Sequence, residues 1–240
     1  MLYNLGAVPY LNALPLIHFL DETPRLAPPG PLVRLLKIGE VDIATAPITA
    51  WFENPNYSLI PGICIASNGP VRSVKLFFTK PGRSLENVEK IYLDMESRTS
   101  ALLLKVILQF KYHRNLAEIE FYSPIPPREI DAKLLIGDKA MREITEHPPV
   151  DLGQEWTDWT GLPFVYAAWI SRLPTVSDRA VQELTRARDR GVAAISSVIP
   201  EKSGFSRQQV EEYLQGILYH LGPKEMEGMR LFREYLNASV

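Results

Sequence analysis

A single cysteine, Cys64, among 240 residues leaves no partner for an intrachain disulfide and no thiolate set for a metal cluster. It sits in the apolar run Ile63-Cys64-Ile65, where a small buried hydrophobe is a plainer reading than a nucleophile. Apolar runs are short, and none approaches the ~20 residues of a membrane span. No Lys or Arg precedes the first of them, and Pro9, Asn12 and Pro15 interrupt it. A secretory leader is therefore not read there, and the cytoplasm is the expected compartment. Charge of one sign is also lacking: 26 basic residues face 28 acidic ones, net −2. No global field favours nucleic acid or an anionic membrane, although a local cationic pocket for a small acid is compatible with that balance.

Familiar catalytic signatures are missing too. There is no His-Glu-x-x-His, no GxxxxGK phosphate loop, no GxGxxG and no GxSxG. The four histidines, His18, His113, His147 and His220, include no pair spaced to share a metal. The expected partner is a small-molecule substrate, with neither metal nor nucleotide cofactor.

What is present is ordinary globular material, 46% hydrophobic and 22% charged, enough for a real core. The length suits one large domain or two small lobes. Short apolar strands alternate with helical patterns: a strand over 5–8, then a helix carrying Leu16, Phe19 and Leu20. Pro28-Pro29-Gly30-Pro31 introduces a helix over 32–38 stopped by Gly39, and a strand over 41–45 closes at Pro47. Such repeats imply right-handed crossovers and a mainly parallel sheet.

A second series follows, with strands predicted over 73–79, 91–94 and 133–136. Ser97-Arg98-Thr99-Ser100 opens a helix carrying Leu103, Ile107 and Phe110, and Gly137-Asp138 turns into another. A strand over 162–170 is long enough to pass from one lobe to the other. The end reads as helical: Val181, Leu184, Val192 and Ile195 fall near helical spacing. Val210, Tyr213, Leu214, Ile217, Leu218 and Leu221 form one apolar stripe ended by Gly222-Pro223. The expected organisation is α/β with two lobes, residues 1–72 with 169–240, and residues 73–168.

In open α/β sheets, ligands bind beyond the carboxyl ends of strands. Five loops qualify: Tyr10-Leu11-Asn12; Thr45-Ala46-Pro47; Ser67-Asn68-Gly69 leading to Arg72-Ser73; Ser97 to Ser100; and Gly137-Asp138. They are rich in hydroxyl and amide groups and poor in carboxylates, as suits a carboxylate ligand held by neutral donors and helix N-termini. Each has a rival reading. Asn12 is equally a cap for the helix after it, Ser97 or Ser100 is an ordinary N-cap, and Arg72, with no site known, reads more readily as a surface ion-pairing residue than as a carboxylate clamp. Asp94 and Asp138 equally tie down turns.

The segment Val8-Pro9-Tyr10-Leu11-Asn12-Ala13-Leu14-Pro15-Leu16 resembles the "V-S-Y-L-N-x-x-P-L" start of the chorismate dehydratases of menaquinone biosynthesis by the futalosine route, with Pro9 in place of the usual serine. Residues 61–74, reading PGICIASNGPVRSV, resemble that family's "PGVCIASDGPVRSV", with Asn68 where Asp is common. Ser97-Arg98-Thr99-Ser100, Leu134 to Asp138, and Gly161-Leu162-Pro163-Phe164-Val165-Tyr166-Ala167 also match, so the resemblance spans residues 1 to about 172.

The resemblance implies the two-lobed fold of type II periplasmic binding proteins with an inter-lobe cleft, and conversion of chorismate to 3-[(1-carboxyvinyl)oxy]benzoate plus water without a cofactor. It places Asn12 and Ser73 at the reacting centre. Tyr10, Thr45, Ser67, Arg72, Ser97, Thr99, Ser100 and Asp138 are its candidates for holding the substrate. The sister enzyme making 1,4-dihydroxy-6-naphthoate has an N-terminal "HSPCPND" motif that is absent here. A non-catalytic carboxylate-binding protein on the same scaffold is the alternative from another functional class.

Overall fold

The computed structural model describes residues 3–96, 98–200 and 203–239. The chain forms two compact units, residues 1–67 with 165–225 and residues 68–164 with 226–240. In unit 1 the chain first lays down β1 (Leu5–Ala7), α1 (Leu14–Ile17), β2 (Arg25–Leu26) and α2 (Pro29–Ile38). It continues through β3 (Ile43–Pro47), α3 (Ile48–Glu53) and β4 (Ser58–Ser67). Unit 2 contains β5 (Val74–Phe78), β6 (Lys90–Leu93), α4 (Arg98–Val106), β7 (Glu120–Tyr122), β8 (Ala132–Ile136), α5 (Gly137–Arg142), β9 (Val150–Asp151) and α6 (Leu152–Thr160). The chain then returns through β10 (Phe164–Ser171), α7 (Asp178–Ala193), α8 (Ile195–Val198), α9 (Arg207–Gln215), β11 (Leu218–Leu221) and α10 (Pro223–Ala238).

Local chemistry explains most of these elements. Prolines fill the first turn of α2, where an N–H has no helical partner, and Gly39 ends the helix at φ 80 with its N–H on Leu35 and Leu36. Helix α7 buries Ala180, Leu184, Ala187 and Gly191. Val192, expected on that stripe, is instead 40% exposed. The close approach of α1 calls for a glycine near the end of α7: a Cβ on Gly191 would stand 1.9 Å from the Pro15 carbonyl oxygen.

Both sheets are mixed, where a mainly parallel arrangement was expected. The first runs β11-β4-β10-β3-β1-β2, with β1 parallel to β2 and β3, and β10 antiparallel to β3. The second runs β7-β6-β8-β5-β9, parallel across β7-β6-β8 and antiparallel across β8-β5-β9.

Two further expectations change. The stripe from Val210 to Leu221 is not one helix: α9 stops before Gly216, and Leu218–Leu221 pairs antiparallel with β4. Apolar spacing that fits a helix also fits a half-buried strand over so few residues, and pairing with β4 decides it. Strand β4 itself runs ten residues through Pro61-Gly62, a dipeptide that normally reads as a turn; Gly62 takes φ 76 and its carbonyl accepts from the Arg188 guanidinium. The C-terminal residues were placed with the first lobe, yet those after Glu225 belong to unit 2. There Phe232 packs edge-on against Phe164 at 4.8 Å, and Tyr235 stacks on Trp159 at 4.8 Å. Burying two aromatic rings against a ready aromatic face outweighs any local preference.

Unit 2 has a charge cluster at the amino end of β6. Asp131 is 1% exposed and accepts N–H bonds from Glu89 and Lys90, with Lys80 at 3.2 Å and Arg83 at 3.3 Å. Burial alone would raise this carboxyl, but the two N–H groups and the two cations outweigh it and hold it below the usual aspartate range. A folded value below the unfolded one stabilises above the unfolded pKa, ~3.9, and is lost as pH falls through the folded value. Stability should therefore decline below about pH 4, and Asp131→Asn should weaken the protein at pH 7 while flattening that acid limb. Urea midpoints with the same acid dependence in both proteins would contradict this.

No described helix is long and apolar enough to cross a membrane.

Candidate active site

In unit 1 the carboxyl ends of β1, β3 and β4 and the amino end of β10 share one sheet edge. Pro47 pairs with Ala167 there, and the Ser67 and Tyr166 hydroxyls share a hydrogen bond at 3.3 Å. Thr45, with no exposed surface, accepts the Val8 N–H at 3.1 Å, which ties the Val8–Asn12 segment to the end of β3. Its own hydroxyl hydrogen is left to donate. Tyr10, half-buried, enters a single 3-10 turn over Leu11–Ala13.

Asn12 lies in that turn, and the structure removes its capping reading. Neither the turn nor α1 has a side-chain cap: their N-cap positions are Tyr10 and Ala13. The Asn12 Oδ1 is buried without a hydrogen-bond partner among the described residues. Buried polar atoms are paired in the great majority of cases; Asn12 shares the unpaired state with Gln109, Trp156, Trp169, Glu183 and Tyr219, and its place beside the strand ends is what sets it apart.

In unit 2 the corresponding edge holds the end of β6, the end of β8 and the start of β5. Val74 pairs with Ile136, and the Gly137 N–H donates to the Ser73 carbonyl at 2.8 Å, so Ser73, 2% exposed, is placed beside the start of α5. Asp94, just past β6, accepts the Glu96 N–H at 3.1 Å and pairs with Lys139 at 3.0 Å, so it ties down a turn as its rival reading held. Burial opposes charge on Lys139, but its bonds to Asp94 and the nearby Glu96 outweigh that and raise its pKa. Asp138, half-buried in the first turn of α5, makes no cap. Burial raises its carboxyl, opposed by Arg142 at 3.8 Å. Thr99 and Ser100, each 5% exposed, stand in the first turn of α4, while Ser97 lies outside the described residues.

Arg72 is exposed and adopts φ 65, a left-handed conformation rare for an L side chain. Its N–H and that of Val71 both donate to Asp151.

Of the residues expected at the site, Tyr10, Asn12, Thr45 and Ser67 thus gather on one edge of unit 1. Arg72, Ser73, Thr99, Ser100 and Asp138 occupy one edge of unit 2. Two residues went unnoticed as candidates. Tyr166 was inside a quoted motif, but its hydroxyl partner is 99 positions away. Asp151 opens a D-x-x-Q helix start that signals a cap and nothing more.

Cys64 is buried, and burial together with Glu225 pushes its thiol up against a smaller opposing effect of Arg188, which removes it as a nucleophile. Among the described residues no cluster of three or more His, Cys, Asp or Glu is arranged to hold a metal ion. A groove of about 510 Å³ between α7 and β11 is lined by Arg188, Val192, Tyr219 and His220 among others; the Arg188 charge is already taken up by Asp189.

A family model described as menaquinone biosynthesis matches residues 3–238. The chorismate dehydratase of Thermus thermophilus is 32% identical over 267 residues, spanning 98% of this chain and 95% of that protein. Among solved structures, protein AF1704 from Archaeoglobus fulgidus superposes with a TM-score of 0.76 at 14% identity, covering 99% of this chain and 97% of that one. The CA3427 gene product of Candida albicans, described as having the generic periplasmic binding protein fold, gives 0.65 at 11% identity, covering 99% of this chain and 90% of that one. At such identities the two structures speak for fold alone, and they bear out the periplasmic-binding-protein-like α/β expectation.

Proposed function

Because this chain belongs to the menaquinone biosynthesis family, we propose that it is a hydro-lyase that dehydrates chorismate to 3-[(1-carboxyvinyl)oxy]benzoate on the futalosine route. The near full-length likeness to a dehydratase of that name carries the reading. The orphaned Asn12 acceptor supports the choice of centre.

The chemistry asks little of the protein. Chorismate loses the hydrogen on C3 and the hydroxyl on C4. One C–H and one C–O bond break, the ring becomes aromatic, and the proton and hydroxide leave as water. No electron acceptor or group donor is needed for that balance. The driving force is large, so the protein mainly orients the substrate and steers it from competing rearrangement. A base must accept the C3 proton and an acid must assist the departing hydroxyl. Asn12 donates and accepts hydrogen bonds, and Ser73 donates or relays a proton, so these two are assigned to the reacting centre. Neither is a strong base at neutral pH. The substrate's own enolpyruvyl carboxylate is the proposed proton acceptor, with Asn12 and Ser73 holding the geometry. An Asn12→Asp variant that gained activity would overturn that assignment by showing that a protein base was what the site lacked.

Ser97, Thr99, Ser100 and the amides at the start of α4 are assigned to a substrate carboxylate, helped by the partial positive charge of a helix N-terminus. Tyr10, Thr45, Ser67, Arg72 and Asp138 complete the binding set.

Purified protein incubated with chorismate should consume its diene absorbance and release the aromatic ether. Binding without conversion would favour a small-carboxylate-binding protein instead. Turnover of the cyclic futalosine-derived substrate in place of chorismate would favour the sister naphthoate-forming activity.

A further inference from the structure

The segment leading to Ser73 has its backbone fastened by one helix. Gly69, at φ 102, donates its N–H to the Thr157 Oγ1 of α6 at 2.8 Å. Val71 and Arg72 donate theirs to Asp151, the residue that caps the same helix, at 3.0 and 2.7 Å. Asp151 also faces Lys75 in the β5-β9 ladder, two residues beyond Ser73.

The two carboxylate oxygens divide the work. Oδ1 accepts the N–H groups of Gly153 and Gln154, which is the helix cap, together with that of Val71. Oδ2 accepts from Arg72. A helix cap needs one oxygen, and Ser, Thr or Asn would serve. The second oxygen takes up the N–H of Arg72, the residue that sits at φ 65.

We propose that Asp151 is a positioning residue for Arg72 and Ser73 in the dehydration, an assignment that rests on the function proposed above. It acts through the loop backbone. Its second oxygen holds Arg72 in the left-handed conformation, and that sets the direction in which Ser73 enters β5.

Asp151→Asn separates the two duties. An amide keeps one oxygen for the cap and for Val71, but presents an NH₂ group to the Arg72 N–H, where no hydrogen bond can form. Turnover of chorismate should fall ~10-fold, with the change in kcat rather than KM, and the urea midpoint should stay near that of the parent. Amide exchange should quicken ~10-fold across residues 69–73 while α6 keeps its protection. Ser206→Ala, which removes the N-cap of α9, is the control: it should lower the midpoint and leave kcat unchanged.

Parent-like kcat and parent-like exchange in Asp151→Asn would overturn the proposal. So would exchange that quickens equally in the loop and in α6, since that is loss of a cap and nothing else. A parent protein inert toward chorismate, combined with faster exchange confined to 69–73, would instead remove the substrate reading and leave the positioning role of Asp151 standing.

Discussion

Replacing Asn12 by leucine is expected to lower chorismate turnover by ~100-fold or more, the scale seen when one preorganised hydrogen-bonding group is removed from a reacting centre. The same variant should be as stable as the parent, or about 1 kcal/mol more stable. The two halves of this expectation come from one atom. Among the described residues the Asn12 Oδ1 is buried without a partner, and an enclosed acceptor with nothing to accept costs the folded state its lost hydration. Leucine has nearly the same shape and no polar atom to desolvate. A capping asparagine would behave in the opposite way, because losing a cap weakens the fold; here neither the 3-10 turn nor α1 draws a cap from it. Steady-state kinetics and urea unfolding on the same preparation check both halves. Retained turnover would remove Asn12 from the reacting centre, and a marked loss of stability would return it to a structural role.

The second large effect concerns stability. Gly191→Ala should destabilise the protein by ~3 kcal/mol, at the upper end for overpacking. The added Cβ would stand 1.9, 2.6 and 2.8 Å from the Pro15 oxygen, carbonyl carbon and Cα. All three are backbone atoms, so no side-chain rotation relieves the clash, and α7 and α1 must separate. Because α1 begins two residues after Asn12, the surviving folded fraction should also turn over chorismate more slowly. Gly30→Ala is the matched control. It lies in the first turn of α2 with nothing beyond its chain neighbours and its own helix backbone within 4 Å of the new Cβ, so the gain in helix propensity, offset by crowding against Pro31, should leave stability within about 1 kcal/mol of the parent. Equal urea midpoints for the two variants would contradict the close approach of α7 to α1.

Where local chemistry decides structure, the amino-acid order was readable. The prolines and glycine bracketing α2, the short apolar runs of β3 and β5, and the polar strand ends carrying Asn12 and Ser73 all lie within a few residues of what they control. Where the deciding partner is remote, reading failed. The helix-like spacing of Leu218 and Leu221 became a strand because β4, about 150 residues earlier, needed a neighbour. Pro61-Gly62 hid β4 itself, since a kinked strand survives only when its turn-like dipeptide is held by something outside it. Asp151 was visible as a cap from its own neighbours, while its bonds to Val71 and Arg72 cross 80 and 79 positions. The site followed the same rule. Motif likeness nominated residues, but only the folded surroundings tell an asparagine that caps from one that does not.

The route of the chain has a consequence for its synthesis. Trp156, Trp159 and Phe164 are made long before Phe232 and Tyr235, the rings that cover them. During translation the middle of the protein must therefore wait, with an oily face uncovered, until Phe232 and Tyr235 have left the ribosome exit tunnel. A nascent chain stalled short of that point would be a natural client for chaperones, and a truncation from residue 226 onward would strike the unit built from residues 68–164 rather than the one that precedes the cut.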